Sequence, residues 1–150
     1  MPMVRTLGHE EAAAAVEAVR AELARRSDAA AVAVGDAHGD LVAFLRVDGA
    51  PVSAVPVAIN KAYTAARTRR PTRAIGDAVR DPGRGVSAGF YGDRRFVGWA
   101  GGLPVVVGGA VVGAVGVSGM SQALDEEMAG IGVAAILGSA ARGSAREGPG

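Results

Sequence analysis

"GGLPVVVGGAVVGAVGVSG", residues 101–119, holds seven glycines, seven valines and no charge. The uncharged run around it extends from Phe96 to Leu124, between Arg95 and Asp125. A run of more than about 18 apolar residues is long enough to be a membrane-spanning helix. Valine is β-branched and favours strands, however, and two Gly-Gly pairs with Pro104 between them interrupt any helix. No polybasic flank marks one side. A phosphate-binding loop fails more simply, because no Gly-Lys-Ser/Thr follows these glycines and no GxGxxG is present. Two strands joined by a Gly108-Gly109 turn account for the stretch, since a Gly-Gly pair suits a two-residue hairpin. Gly113, Gly116 and Gly119 then fall inside or just beyond a strand, where they permit close approach of backbone or ligand.

The rest of the chain narrows the class. At 150 residues it reads as a single domain over 1–141 followed by a disordered tail over 142–150. Sixteen Lys and Arg against fifteen Asp and Glu leave no basic excess, which argues against a nucleic-acid partner. The absence of cysteine excludes disulfides, thiolate catalysis and Cys-ligated metals, and two histidines do not make a His-rich metal site. The first twenty residues lack an apolar signal core, so the expected setting is cytoplasmic.

Ala12, Val16, Val19 and Leu23 keep helical spacing, predicting a helix over 9–25 with acidic residues first and arginines last. "AAVAVGDAHGDLVAFLRVDGA" reads as a hairpin turning at "DAHGD". Ser53 begins a helix ending near Arg70 at Pro71, and "PTRAIGDAV" suits a short helix. A charged, Gly-rich loop over 80–95 precedes "FVGWAG", read as a strand, then the valine hairpin and a last helix from Gln122. The order α-β-β-α-β-β-β-α implies an α+β fold: a profilin-like or PAS-like five-stranded antiparallel sheet with helices on one face. The small-residue helix faces suggest contact with another subunit.

Taken one at a time, the chemically capable residues are ambiguous. Asp48 in "RVDGA" reads as a turn carboxylate or an acid/base group. Lys61 in "INKAYTAA" reads as a snorkelling lysine, an anion anchor or an amine tuned by burial. His38 suits a turn and His9 a first helical turn, yet either can ligate haem iron or act as a base. Asp125 and Glu126 complement a helix dipole. Tyr63, Tyr91 and Trp99 suit either core packing or the wall of an apolar pocket.

As a succession these stretches are more specific. "VGDAHGDLVAFLRVDGA", "SAVPVAINKAYTA", the valine hairpin and "LDEEMAGIG" together resemble the GlcG/HbpS family, which includes the PduO C-terminal domain and is often labelled haem-degrading-protein-like. The resemblance covers roughly residues 5–140. It places Asp36, Gly39, Arg46, Asp48, Gly49, Lys61, Thr64, Gly101, Gly102, Pro104, Gly113, Gly116, Ser118, Gly119 and Asp125 on family positions, with Val47 where methionine is usual. It implies a profilin-like fold, oligomers from dimer to octamer, and haem binding by some members. On that basis Arg46 or Lys61 is expected to pair with haem propionates, and His38 or His9 to ligate the iron. Arg46, Tyr63, Thr64, Gly101, Gly102 and Ser118 are the expected ligand-binding set. The alternative is a cofactor-free enzyme of small-molecule biosynthesis. In it Lys61 and Asp48 serve as an acid–base pair for condensation, cyclisation or isomerisation through an iminium or enol. Neither reading involves a membrane or nucleic acid.

Overall fold

The computed structural model describes residues 1–146. Its elements are α1 (His9–Arg26), β1 (Ala31–Asp36), β2 (Leu41–Arg46), α2 (Ala54–Thr68), α3 (Thr72–Arg80), β3 (Gly102–Val107), β4 (Ala110–Ser118) and α4 (Gln122–Arg146), with one turn of 3-10 helix at Ala88–Tyr91. The fold is α+β with four α-helices and one four-stranded antiparallel sheet of order β2-β1-β4-β3.

The valine stretch forms the β3–β4 hairpin. Val107 pairs with Ala110 across Gly108 and Gly109, whose φ values of 58° and 79° are those of a turn that favours glycine at both central positions. Pro104 is tolerated because β3 is an edge strand.

Strand alternation divides the core into two unlike halves. Val32 and Val34 of β1 and Val115 and Val117 of β4 pack with Val19 and Leu23 of α1 and Met128 and Ile136 of α4. The intervening residues, Ala31 and Ala33, meet Ala54, Ala58 and Ala62 of α2. Helices therefore cover both faces of the sheet, not one as expected. The valine face takes two helices, while the alanine–glycine face lets α2 lie almost on the backbone. A Cβ on Gly116 would sit 2.3 Å from the Ala58 carbonyl oxygen, and one on Gly102 would sit 2.5 Å from that of Lys61.

Two further expectations need correction. "FVGWAG" is not a strand: Val97 N–H donates to Thr64 Oγ1 and Ala100 N–H to Gln122 Oε1, so side chains take the donors a ladder would use. The segment instead crosses α3 at Gly76, where a Cβ would lie 1.8 Å from the Gly98 carbonyl oxygen. The sheet accordingly has four strands. At the C-terminus, α4 continues to Arg146, so residues 142–146 are helical where a tail was expected. The remainder of that tail, 147–150, lies outside the described residues.

Candidate functional site

Lys61 sits in the middle of α2, on the side that meets the C-terminal end of β4. Its side chain is 2% exposed, and Nζ donates to the Val117 carbonyl at 2.8 Å and to Asp125 Oδ2 at 3.0 Å. Asp125, in the first turn of α4, accepts from Met120 N–H through Oδ1 at 3.0 Å. Sheet end, central helix and last helix thus converge on one buried ion pair. Glycine makes room for it: a Cβ on Gly101, at φ 127°, would lie 2.6 Å from the Val117 oxygen, 2.8 Å from Lys61 Nζ and 2.9 Å from Asp125 Cβ.

Burial dominates the electrostatics. Desolvation pushes the Lys61 amine below the usual lysine range, opposed by the charge and hydrogen bond of Asp125. Desolvation likewise pushes the Asp125 carboxyl up, against Lys61 and the backbone N–H groups of Met120 and Gly119. Each group is driven toward its neutral form, and the proton they share lies in a hydrogen bond whose nitrogen and oxygen are 3.0 Å apart.

The pair forms part of the lining of a pocket of about 410 Å³. Ser53, Ser118 and Gln122 add polar groups, while Pro51, Val57, Trp99 and Met120 supply apolar wall. Such a site combines hydrogen-bonding groups with an amine and a carboxyl able to exchange a proton.

The expected residues separate into four places. Lys61 and Ser118 line the pocket, and Gly101 and Gly102 lie behind it against Lys61. Asp48 does not pair with Lys61; it is exposed in the turn after β2, and Asp125 takes its place. Arg46 is exposed at the end of β2, in register with Ala31, and is not part of the pocket lining.

Tyr63 and Thr64 hold the loop that precedes β3. The Tyr63 hydroxyl bonds Asp93, the Arg95 guanidinium stacks 3.7 Å above its ring, and Thr64 Oγ1 caps Val97 N–H. The hydrogen bond to Asp93 raises the phenol pKa and lowers that of the carboxyl.

His38 and His9 occupy the other end of the sheet. His38 is exposed in the β1–β2 turn, and its backbone carbonyl accepts from Arg67 Nε at 3.0 Å. His9 opens α1 just after Leu7, whose N–H bonds the Val112 carbonyl near the start of β4. Thr6 Oγ1 accepts from Ala37 N–H at 3.0 Å, tying the two histidine-bearing segments together. Lys61 Nζ bonds Val117, which pairs with Val32, so four residues of β1, roughly 13 Å of strand, lie between it and Asp36 at the histidine end. No cluster of three His, Cys, Asp or Glu able to hold a bare metal ion exists among the described residues.

Sequence reasoning assigned Asp125 only to the helix dipole and missed Gln122, Ser53 and Met120 as pocket walls. Asp125 was distinguishable from Glu126 by its place on the family pattern; the other three carried no comparable mark.

Similar proteins share this arrangement of elements. The chain is 35% identical over 112 residues to protein GlcG of Escherichia coli K12, spanning 75% of this chain and 81% of that one. Protein ORFY of Klebsiella pneumoniae superposes with a TM-score of 0.84 at 30% identity, covering 91% and 94% of the two chains. PduOC, solved as a complex with haem, superposes with a TM-score of 0.77 at 25% identity over 87% and 94%. Residues 7–134 match the family described as haem degrading protein HbpS-like. The chain therefore belongs to the HbpS-like family.

Proposed function

We propose that this protein binds haem or a related tetrapyrrole, with His38 or His9 as the iron ligand. The observation that carries the reading is the likeness to PduOC in its haem complex, within a family described by haem degradation. The histidines suit the role: both are exposed, neither imidazole hydrogen-bonds a described residue, and a neutral imidazole is a common haem ligand. Bound haem would supply iron-centred chemistry that no side chain here provides.

For the propionates we infer a different partner from Arg46 or Lys61. Arg46 and Lys61 lie at the opposite end of β1 from the histidines, so Arg67, already bonded to His38 oxygen, is the better-placed cation. Ligands on an open surface are best completed by a second copy, in keeping with a homo-oligomer of two to eight chains acting in the cytoplasm. Net charge +1 gives no electrostatic reason for a nucleic-acid partner, and no helix among the described residues is long and apolar enough to cross a membrane. An absorbance titration with hemin tests the reading. A Soret shift that weakens in His38→Ala or His9→Ala is expected. No shift in the parent sinks haem binding, and an unchanged shift in both variants sinks histidine ligation.

A second reading rests on the Lys61–Asp125 pair in its pocket. A small metabolite held there would meet an amine and a carboxyl poised to exchange a proton, the equipment of an acid–base enzyme needing no cofactor. Lys61→Ala should then abolish ligand binding or turnover, whereas the hemin titration is unaffected.

A further inference from the structure

Sixteen residues of the chain are Lys or Arg, and fifteen of these are arginine. The single lysine is Lys61, and it is among the largest fully buried side chains. Among the described residues every ion pair but one uses arginine as its cation. The exception is the place where the charge is least comfortable. What lysine offers there and arginine does not is an amine that can lose its proton and become a nucleophile.

The surroundings argue against an anion anchor. Asp125 already neutralises the amine at 3.0 Å, so an incoming carboxylate or phosphate would face a carboxylate beside its intended partner. No arginine lines the pocket to compensate. Two of the three hydrogens of a charged Nζ are committed, to Val117 oxygen and Asp125. With the proton passed to Asp125, a lone pair becomes available.

We propose that Lys61 forms an imine with a small, uncharged, hydroxylated aldehyde or ketone held in the Trp99-walled pocket, a proposal that rests on the second reading above. Ser53, Ser118 and Gln122 match hydroxyl groups, and Val57, Met120 and Trp99 match the carbon skeleton. The chemistry balances without an oxidant or reductant. The neutral amine adds to the carbonyl carbon, forming the C–N bond while the carbonyl π pair moves to oxygen, which takes the Asp125 proton. The nitrogen returns a proton to Asp125. Its lone pair then expels the hydroxyl, which leaves as water with that proton. The remaining N–H proton passes back to the carboxylate, leaving the imine and one water.

The chain itself supplies the readouts. Lys61 and the α-amino group are its only primary amines, and Trp99, in the pocket wall, is its only tryptophan. The full chain is incubated with glyceraldehyde, or with pyruvate as the anionic counterpart, while Trp99 fluorescence is followed. Borohydride is then added and the peptide containing Lys61 is weighed by mass spectrometry. A fluorescence change with a reduced glyceraldehyde adduct on Lys61, well above any pyruvate adduct, is the expected result. Equal labelling by pyruvate overturns the uncharged class. A fluorescence change with label confined to the α-amino group overturns the imine and leaves the pocket reading standing. With neither change nor Lys61 label, both fall.

Discussion

Lys61 and Asp125 meet at 3.0 Å with 2% and 3% of their side chains exposed, joining the middle of α2 to the first turn of α4 across the end of β4. Sixty-four positions separate them in the chain. Because the charges are out of water, each depends on the other for compensation far more than a surface pair does.

Breaking the pair from one side should therefore be costly. Asp125→Asn keeps an acceptor for Met120 N–H but strands the amine, and Lys61→Met strands the carboxylate. Each single variant is expected to lose about 3–5 kcal/mol in denaturant unfolding. The double variant should recover most of that loss. If the double variant instead loses the sum of the two, the residues are not coupled.

The pH dependence carries an unusual sign. The folded Asp125 pKa lies above its ordinary 3.8, so the folded state holds the proton more tightly and stability is gained as pH falls toward that value. The folded Lys61 pKa lies below its ordinary 10.5, so the unfolded state binds the proton more tightly and stability is gained as pH rises toward 10.5. Measured against Lys61→Met/Asp125→Asn, which titrates at neither site, the parent should be relatively weakest between the two folded pKa values and gain on both sides. A difference that stays flat from pH 4 to pH 10 contradicts the burial effect.

Close approach of α2 to the sheet makes Gly116 sensitive to the smallest addition. A Cβ there would meet Ala58 oxygen at 2.3 Å and Ala62 nitrogen at 2.6 Å, backbone atoms that cannot rotate away. Gly116→Ala should cost at least about 1–3 kcal/mol, the usual range for overpacking, and Gly116→Val more. Gly109→Ala has open space around it and should show only the strain of its positive φ. Thermal midpoints that rank these variants in the reverse order would place α2 further from the sheet.

Tyr63→Phe tests what the residue does at its observed position. The ring remains under Arg95, but the hydrogen bond to Asp93 is lost. Trypsin should then cut after Arg84, Arg94 and Arg95 several-fold faster, while sites in α1 are unchanged. An unaltered rate would mean that the aromatic contacts of Phe96 with Tyr63 and Tyr91 suffice to hold the loop.

The sequence by itself determined what local chemistry governs. The Gly-Gly turn, the strand alternation of valines, the helical spacing of Ala12, Val16, Val19 and Leu23, and the ordered succession of motifs gave the α+β class and the family. It also brought Lys61 to attention, because a lysine inside an alanine-lined helix is conspicuous. Tertiary structure alone decided the rest. "FVGWAG" has the composition of a strand, but Thr64 and Gln122, distant in the chain, take its donors. On paper Asp48 is the expected partner and Asp125 a helix-dipole residue, and only the crossing of α2 over β4 shows which one Lys61 reaches. The two histidines are separated from the Lys61 amine by most of β1, a distance that no local pattern expresses. Backbone preferences and periodicity act over a few residues and can be read directly. The choice of a buried ion's partner is a long-range desolvation effect, fixed only when the elements pack.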